Sequence, residues 1–146
     1  LSCVYGENQW GTEDQGWIAW FIKRAILNKP IKLFGSGKQV RDALHVKDLS
    51  RLIDVLIKKI NVVKGNAFNI GGGKNNTLSL LELIKKIEKK LGKKMNYTFH
   101  KERFGDQKYF VSDLSKIIKM TGWKPKILID RGISKYFDWI NKNQFK

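Results

Sequence analysis

Ile31-Lys32-Leu33-Phe34-Gly35-Ser36-Gly37-Lys38-Gln39-Val40-Arg41-Asp42-Ala43-Leu44-His45-Val46 is the stretch that decides the class of fold. Ile31 to Phe34 reads as a short strand. Gly35-Ser36-Gly37-Lys38 supplies a turn, and Val40 to Val46 is extended again. The segment from Lys47 to Ile60 then changes period. Leu49, Leu52, Ile53, Leu56, Ile57 and Ile60 fall at offsets 0, 3, 4, 7, 8 and 11, one face of a helix.

The same alternation continues on both sides. Ahead lies a helix from Asp14 to Asn28. Asp14 is placed to cap it, Trp17, Phe21, Ile22, Ala25 and Ile26 share one face, and Asn28-Lys29-Pro30 ends it. Behind lies a short apolar strand, Ala67 to Ile70, broken by Gly71-Gly72-Gly73. Ser79-Leu80-Leu81-Glu82 is a capping box that opens a helix to Leu91, closed by Gly92. Met95 to His100 and Lys108 to Val111 are strand-like. Ser112 is placed to cap a short helix to Met120, closed by Gly122. Asp130 is placed to cap a last helix to about Asn143, with Ile133, Phe137 and Ile140 facing in. Alternating strands and helices predict an α/β fold. No repeat, low-complexity linker or proline-rich joint divides the chain, so one unit is expected.

The chain has 146 residues, 42% of them hydrophobic, which is enough apolar surface for a packed core. No apolar run approaches the roughly 18 residues of a membrane span. A single cysteine, Cys3, and two distant histidines, His45 and His100, argue against a structural disulfide or metal. A reducing, cytoplasmic setting fits that usage. Lys and Arg total 29 against 13 acids, a net charge of +16. Such a balance suggests nucleic acid, but the distribution does not. Only Arg24, Arg41, Arg51, Arg103 and Arg131 are arginines, and the lysines are spread over polar helix faces. No zinc-finger spacing, RNA-binding motif or zipper accompanies them. A solvated face that steers anionic ligands is the simpler reading.

Two motifs fail on inspection. Gly71-Gly72-Gly73 follows a strand, but Asn76 stands where a dinucleotide fingerprint needs its third glycine, so the glycines read as a tight strand exit. Tyr97-Thr98-Phe99-His100-Lys101 spells Tyr-x-x-x-Lys, yet its strand pattern would put the two ends about 13 Å apart. Three other segments carry more. Arg41 lies in an apolar extended segment, open to an ion pair with Asp42 or to a grip on phosphate. Arg103-Phe104-Gly105-Asp106 joins two strands as a loop, where a surface salt bridge is the default. Thr12-Glu13-Asp14-Gln15-Gly16-Trp17 opens a helix, whose N-terminus offers free N–H groups to an anion.

Taken together these pieces resemble the extended short-chain dehydrogenases, the NAD-dependent epimerase/dehydratase family. Leu1-Ser2-Cys3-Val4-Tyr5-Gly6, Phe34-Gly35-Ser36-Gly37-Lys38-Gln39-Val40-Arg41-Asp42 with His45-Val46-Lys47-Asp48, Phe68-Asn69-Ile70-Gly71-Gly72, and Arg103-Phe104-Gly105-Asp106 are similar to that family's segments, in its order. Within it, Tyr5-Gly6-Glu7-Asn8-Gln9-Trp10-Gly11-Thr12-Glu13-Asp14-Gln15-Gly16-Trp17 looks like the CDP-paratose 2-epimerases. The resemblance implies the C-terminal, substrate-binding part of a Rossmann-type fold. A few elements would belong with an NAD-binding domain absent from this chain, and residues 1–146 would form the nucleotide-sugar-binding part. It implies NAD as cofactor, held mainly by that other domain. It implies a CDP-sugar partner inverted at C2 by transient oxidation and reduction, and a homo-oligomer. Another nucleotide-sugar epimerase or a 4,6-dehydratase is the alternative, and a basic nucleic-acid-binding module a remote one. The C-terminal part alone is expected to be inactive and to expose apolar surface.

Residue by residue, the resemblance implies that Arg41 holds the pyrophosphate with Asn69 assisting. Gln15 and Gly16 would donate to the phosphates, and Trp17 would wall the sugar-phosphate pocket. Leu33 and Phe34 would border the base. Asp106 would accept from ribose hydroxyls, Arg103 would add a second phosphate contact, and Cys3 would stand near the sugar. No catalytic residue and no metal ligand is expected in the chain. Leu1 to Gly6 reads as the end of a buried strand, so the sequence is expected to be the back part of something longer.

Overall fold

The computed structural model describes residues 1–143. Its hub is the strand β3 (Val40–His45), built from the segment quoted first. The C-terminal half of β3 pairs in parallel with β1 (Cys3–Tyr5), Cys3 opposite Ala43 and Tyr5 opposite His45. Its N-terminal half lies between β4 (Thr77–Ser79), antiparallel, and β6 (Tyr109–Phe110), parallel. A separate two-stranded parallel sheet joins β2 (Ile31–Phe34) to β5 (Tyr97–His100), with Leu33 opposite Phe99. The class is α/β, as the alternation predicts.

Among the described residues, six helices cover the sheets: α1 (Trp17–Ile26), α2 (Val46–Lys58), α3 (Ile60–Val63), α4 (Leu80–Leu91), α5 (Ser115–Thr121) and α6 (Ile129–Asn143). One core cluster packs α1, α4 and α6 on β1, β2 and β3 through Ile18, Phe21, Ile22, Leu33, Leu83, Ile87, Ile133 and Phe137. A second gathers Leu44, Leu52, Leu114, Ile117 and Trp123. The periodicity of α2 is real but only partly satisfied. Leu52 is buried, while Ile53, Ile57 and Ile60 on the same predicted face are exposed.

Local signals fare unequally. The Ser79 capping box forms in full: the hydroxyl accepts from the Glu82 N–H, and the Glu82 carboxylate accepts from the Ser79 N–H at 2.6 Å. His45 caps α2, its Nδ1 accepting from the Lys47 N–H at 3.2 Å. Asp14 does not cap α1. Gly16 takes the N-cap place with φ +74°, and its carbonyl accepts the Trp20 N–H at 2.9 Å. Ser112 does not cap α5 either. It is buried, and Asp113 accepts the Ser115 N–H at 2.9 Å. Asp130 lies within the first turn of α6, not at its cap.

Residues 67–70 form no strand. A strand needs a ladder, and what this segment has is one backbone bond to the residue ahead of β1, the Ser2 N–H on the Ile70 carbonyl at 2.7 Å. The glycines after it pass against β3. A Cβ on Gly71 would fall on Asp42 Oδ2 and Ser112 Oγ, and one on Gly72 on the Ala43 carbonyl, both well inside contact distance. The chain turns there into a short 3-10 turn, Lys74–Asn76. No described helix is long and apolar enough to cross a membrane.

Candidate functional site

The alternation of β3 sets the site. Successive side chains of a strand point to opposite faces. Asp42 points inward, where it is fully buried, accepts from the Ser2 hydroxyl at 2.5 Å and from the Gly73 N–H at 2.9 Å. Arg41 therefore points to the opposite face, the side of Ala43 and the first core cluster, into a cavity of about 350 Å³ at its edge. The start of α1 forms one wall with Gly16, Trp17, Trp20 and Phe21. β2 adds Lys32 and Phe34, Leu80 comes from α4, and the loop Arg103-Phe104-Gly105-Asp106 forms the rim. An aromatic cavity of this size with a few converging polar groups suits a small ligand.

The polar groups are paired across the cavity. Arg41 Nη2 donates to Asp106 Oδ1 at 2.5 Å. Asp106 Oδ2 also accepts from Gln39 Nε2 at 3.2 Å, and the same amide donates to the Phe34 carbonyl at 2.7 Å. Arg103 Nη2 donates to Asp14 Oδ1 at 3.1 Å, and its guanidinium lies 4.3 Å over the Phe34 ring. Lys32 Nζ stands 3.5 Å from Glu13. The three lining cations thus each face a lining carboxylate. A diphosphate entering the cavity must draw arginines from those carboxylates, and hydroxyl donors on the ligand can satisfy the carboxylates in exchange.

Of the ten residues singled out from sequence, six line this cavity: Gly16, Trp17, Phe34, Arg41, Arg103 and Asp106. Four do not. Leu33 is fully buried in the core, because Lys32 and Phe34 on either side of it face the cavity. Asn69 is exposed on the irregular segment whose neighbours Phe68 and Ile70 pack on the second core. Gln15 is exposed, and its backbone is committed to Thr12, donating to the hydroxyl at 3.2 Å and accepting the Thr12 N–H at 2.8 Å. Cys3 packs against the core beside Trp17 and Arg41. Burial pushes its thiol up to about 11, against a lowering hydrogen bond with Trp17, so it is a protonated thiol rather than a nucleophile at neutral pH. The ion pair of Arg41 with Asp42 does not form; its partner is Asp106.

Among the lining residues that sequence reasoning did not single out are Gln39, Lys32 and Leu80. The first two carried a signal: Lys32 is two positions from Phe34 on β2, and Gln39, just ahead of β3, is two positions from Arg41, so each shares the face of a chosen residue in extended chain. Leu80 carried none, since the cavity meets α4 only through tertiary packing. The described residues offer no cluster of His, Cys, Asp and Glu for a metal. They offer no dinucleotide cradle either. Gly71-Gly72-Gly73 opens into a 3-10 turn rather than a helix, and its backbone is already packed on Asp42 and Ala43.

Residues 1–71 match the NAD dependent epimerase/dehydratase family. That match, with the relatives that follow, bears out the resemblance to that family. It is 42% identical over 94% of its length to the CDP-paratose 2-epimerase of Salmonella typhi, covering 42% of that protein. It is 33% identical over 84% of its length to the UDP-glucuronate 4-epimerase of Thermodesulfobacterium geofontis, covering 37%. Its fold is similar to the crystal structure of the UDP-glucuronic acid 4-epimerase of Bacillus cereus with UDP-glucuronic acid and NAD, at a TM-score of 0.85 and 27% identity, over 97% of this chain and 43% of that one. The chain spans less than half the length of the curated relatives it matches.

Proposed function

We propose that the chain is the nucleotide-sugar-binding part of an NAD-dependent CDP-paratose 2-epimerase, and that the cavity under Arg41 receives the CDP-sugar. The observation that carries the reading is the convergence of Arg41, Arg103 and the Gly16 start of α1 on one aromatic cavity. Two guanidinium groups and a helix N-terminus can answer a pyrophosphate. Trp17, which ends the Asp-Gln-Gly-Trp stretch that is similar to the CDP-paratose 2-epimerases, and Trp20 just after it wall the same cavity. Identity to the Salmonella typhi enzyme supports the choice of base and sugar.

In this reading the chain's own residues bind and orient. Arg41 grips the diphosphate, Asp106 turns from Arg41 to ribose hydroxyls, and Trp17 excludes water beside the sugar. Holding the nucleotide end supplies binding energy that orients the remote reacting carbon. The family's dinucleotide would supply the oxidation and reduction at C2 and would be held mainly by another domain, since the Gly71-Gly72-Gly73 turn offers it no cradle. A homo-oligomer and a soluble cytoplasmic setting belong to the same proposal. The similarity to a UDP-glucuronate 4-epimerase favours one second reading, a UDP-sugar epimerase.

Ligand-observed NMR of the chain with CDP-paratose, UDP-glucuronic acid and dTDP-glucose in competition separates the two. The proposal expects saturation transfer to both the cytosine and the sugar protons of CDP-paratose, with little displacement by the other two. Preferential transfer to the uridine compound overturns the cytidine assignment.

A further inference from the structure

We infer that Gln39 is a positioning residue for the nucleotide's ribose: it anchors one oxygen of Asp106 so that the other can exchange Arg41 for the ribose hydroxyls. The inference rests on the nucleotide reading of the cavity. Gln39 leads into β3 from the turn after β2 and lines the cavity with Asp106. Its amide nitrogen carries two donors, and both are used. One goes to the Phe34 carbonyl at 2.7 Å and the other to Asp106 Oδ2 at 3.2 Å. Oε1 is buried and has no donor among the described residues. Turning the amide over would set that oxygen against a carbonyl and a carboxylate, so the two acceptors fix its orientation. An amide that leaves its own oxygen unpaired in this way is held by what its nitrogen binds.

The anchor matters because of how Arg41 and Asp106 meet. They share one pair of atoms, Nη2 and Oδ1, at 2.5 Å. Each side chain is also held elsewhere: Arg41 Nη1 donates to the Val40 carbonyl at 2.8 Å, and Asp106 Oδ2 accepts from Gln39. Opening the shared contact therefore frees one edge of each group and leaves both in place. The freed guanidinium edge is left for the diphosphate, and the freed Oδ1 for hydroxyl donors. A carboxylate that is already anchored loses little rotamer freedom when a hydroxyl arrives. Through the Phe34 carbonyl, the same amide ties the carboxylate to the end of β2, so the ribose contact keeps its place relative to the Phe34 wall. The ligand that uses this device is a ribonucleoside diphosphate, not one whose sugar lacks the hydroxyls.

Discrimination between CDP and 2′,3′-dideoxy-CDP isolates this role, since the second compound keeps the base and the diphosphate and lacks both ribose hydroxyls. Calorimetric titration gives the ratio of the two affinities for the chain, for Gln39→Leu, for Asp106→Ala and for the double variant, each first checked for a cooperative melt. Gln39→Met takes the place of Gln39→Leu if the leucine variant does not melt cooperatively. The parent is expected to prefer CDP by roughly 10- to 150-fold, the worth of a hydrogen bond to a charged acceptor. Gln39→Leu is expected to reduce that preference at least about 5-fold, while its affinity for the dideoxy compound stays within about 3-fold of the parent. Asp106→Ala removes the preference, and Gln39→Leu then adds nothing to it in the double variant. An unchanged preference in Gln39→Leu overturns the inference while the nucleotide site stands. Equal weakening of both compounds also overturns it, since Gln39 is then only a brace of the turn between β2 and β3. A parent that binds the two compounds equally overturns it without any variant. No binding of either compound to the parent removes the nucleotide reading and the inference together.

Discussion

Arg41 and Asp42 are adjacent in β3 and serve opposite ends of the chemistry: Arg41 reaches out to Asp106 at 2.5 Å, and Asp42 reaches in to the Gly73 N–H at 2.9 Å. The pair makes a contrast that one scan can test. Asp42→Ala strands a buried N–H and is expected to cost about 2 kcal/mol or more in denaturant unfolding. Arg41→Ala removes a partly exposed ion pair and is expected to cost under about 1 kcal/mol while abolishing nucleotide binding. Equal stability losses would show that Asp42 does not carry the strand.

The glycines beyond residue 70 give a second contrast. A Cβ on Gly72 meets the backbone carbonyl of Ala43, which cannot give way as a flexible side chain can. Gly72→Ala is expected to destabilise by about 1–3 kcal/mol through overpacking alone. Gly65 has φ +73° with nothing near its Cβ. Gly65→Ala carries only the cost of the left-handed backbone, about 1–2 kcal/mol. Melting of both variants checks the order, and a Gly72→Ala chain as stable as the parent would return that segment to the status of a loose loop.

His45 predicts an acid limb of stability. The ring is fully buried at the end of β3, against Tyr5, with Nε2 3.4 Å from Glu7. Burial holds its pKa below the ordinary 6.5; Glu7 and Asp48 raise it again, and Lys47 and Lys135 add to the lowering. A folded-state pKa below the unfolded one means that the unfolded chain binds the proton more readily. The stability is therefore present above about pH 6.5 and is lost as pH falls below it. Glu7 sits below its usual range, because its bonds to Lys47 and its own backbone, with His45, outweigh the opposing burial, so its contribution is lost at still lower pH. Melting temperatures from pH 7.5 to 5.5 should fall for the parent and flatten in His45→Asn, which keeps a capping acceptor. An unchanged slope in that variant would assign the acid limb elsewhere.

The capping box gives a smaller effect of known size. Ser79→Ala removes the hydroxyl that accepts the Glu82 N–H and is expected to cost about 1 kcal/mol. Denaturant midpoints check it, and no shift would mean that packing of Leu83 and Ile87 alone holds the start of α4.

How much was legible in the sequence follows from how far each signal reaches. The Ser79–Glu82 box and the glycine after Leu91 act within one turn of helix, and both appear as read. The Ala67 to Ile70 strand required a partner along its length and has one backbone bond, from Ser2 just ahead of β1. Apolar composition cannot report that. Leu33 was assigned to the cavity together with Phe34, although neighbours in a strand face opposite ways; period 2 alone assigns Lys32 to the cavity instead. The ion pairs of Arg41 with Asp106 and Arg103 with Asp14 span 65 and 89 residues of chain, so no local pattern announces them. The motif order pointed to the family; which acid faces which arginine is a property of the folded surface.

The most direct test of the account is thermal melting of the chain with CDP, and with UDP, GDP and dTDP for comparison, in the parent and in Arg41→Ala. A nucleotide at about a hundred times its dissociation constant adds roughly 2.7 kcal/mol, or roughly 5–10 °C for a chain of this size. The account predicts that shift with CDP above all in the parent, and none in Arg41→Ala. A cooperative melt unmoved by every nucleotide, or moved equally in the variant, would contradict it.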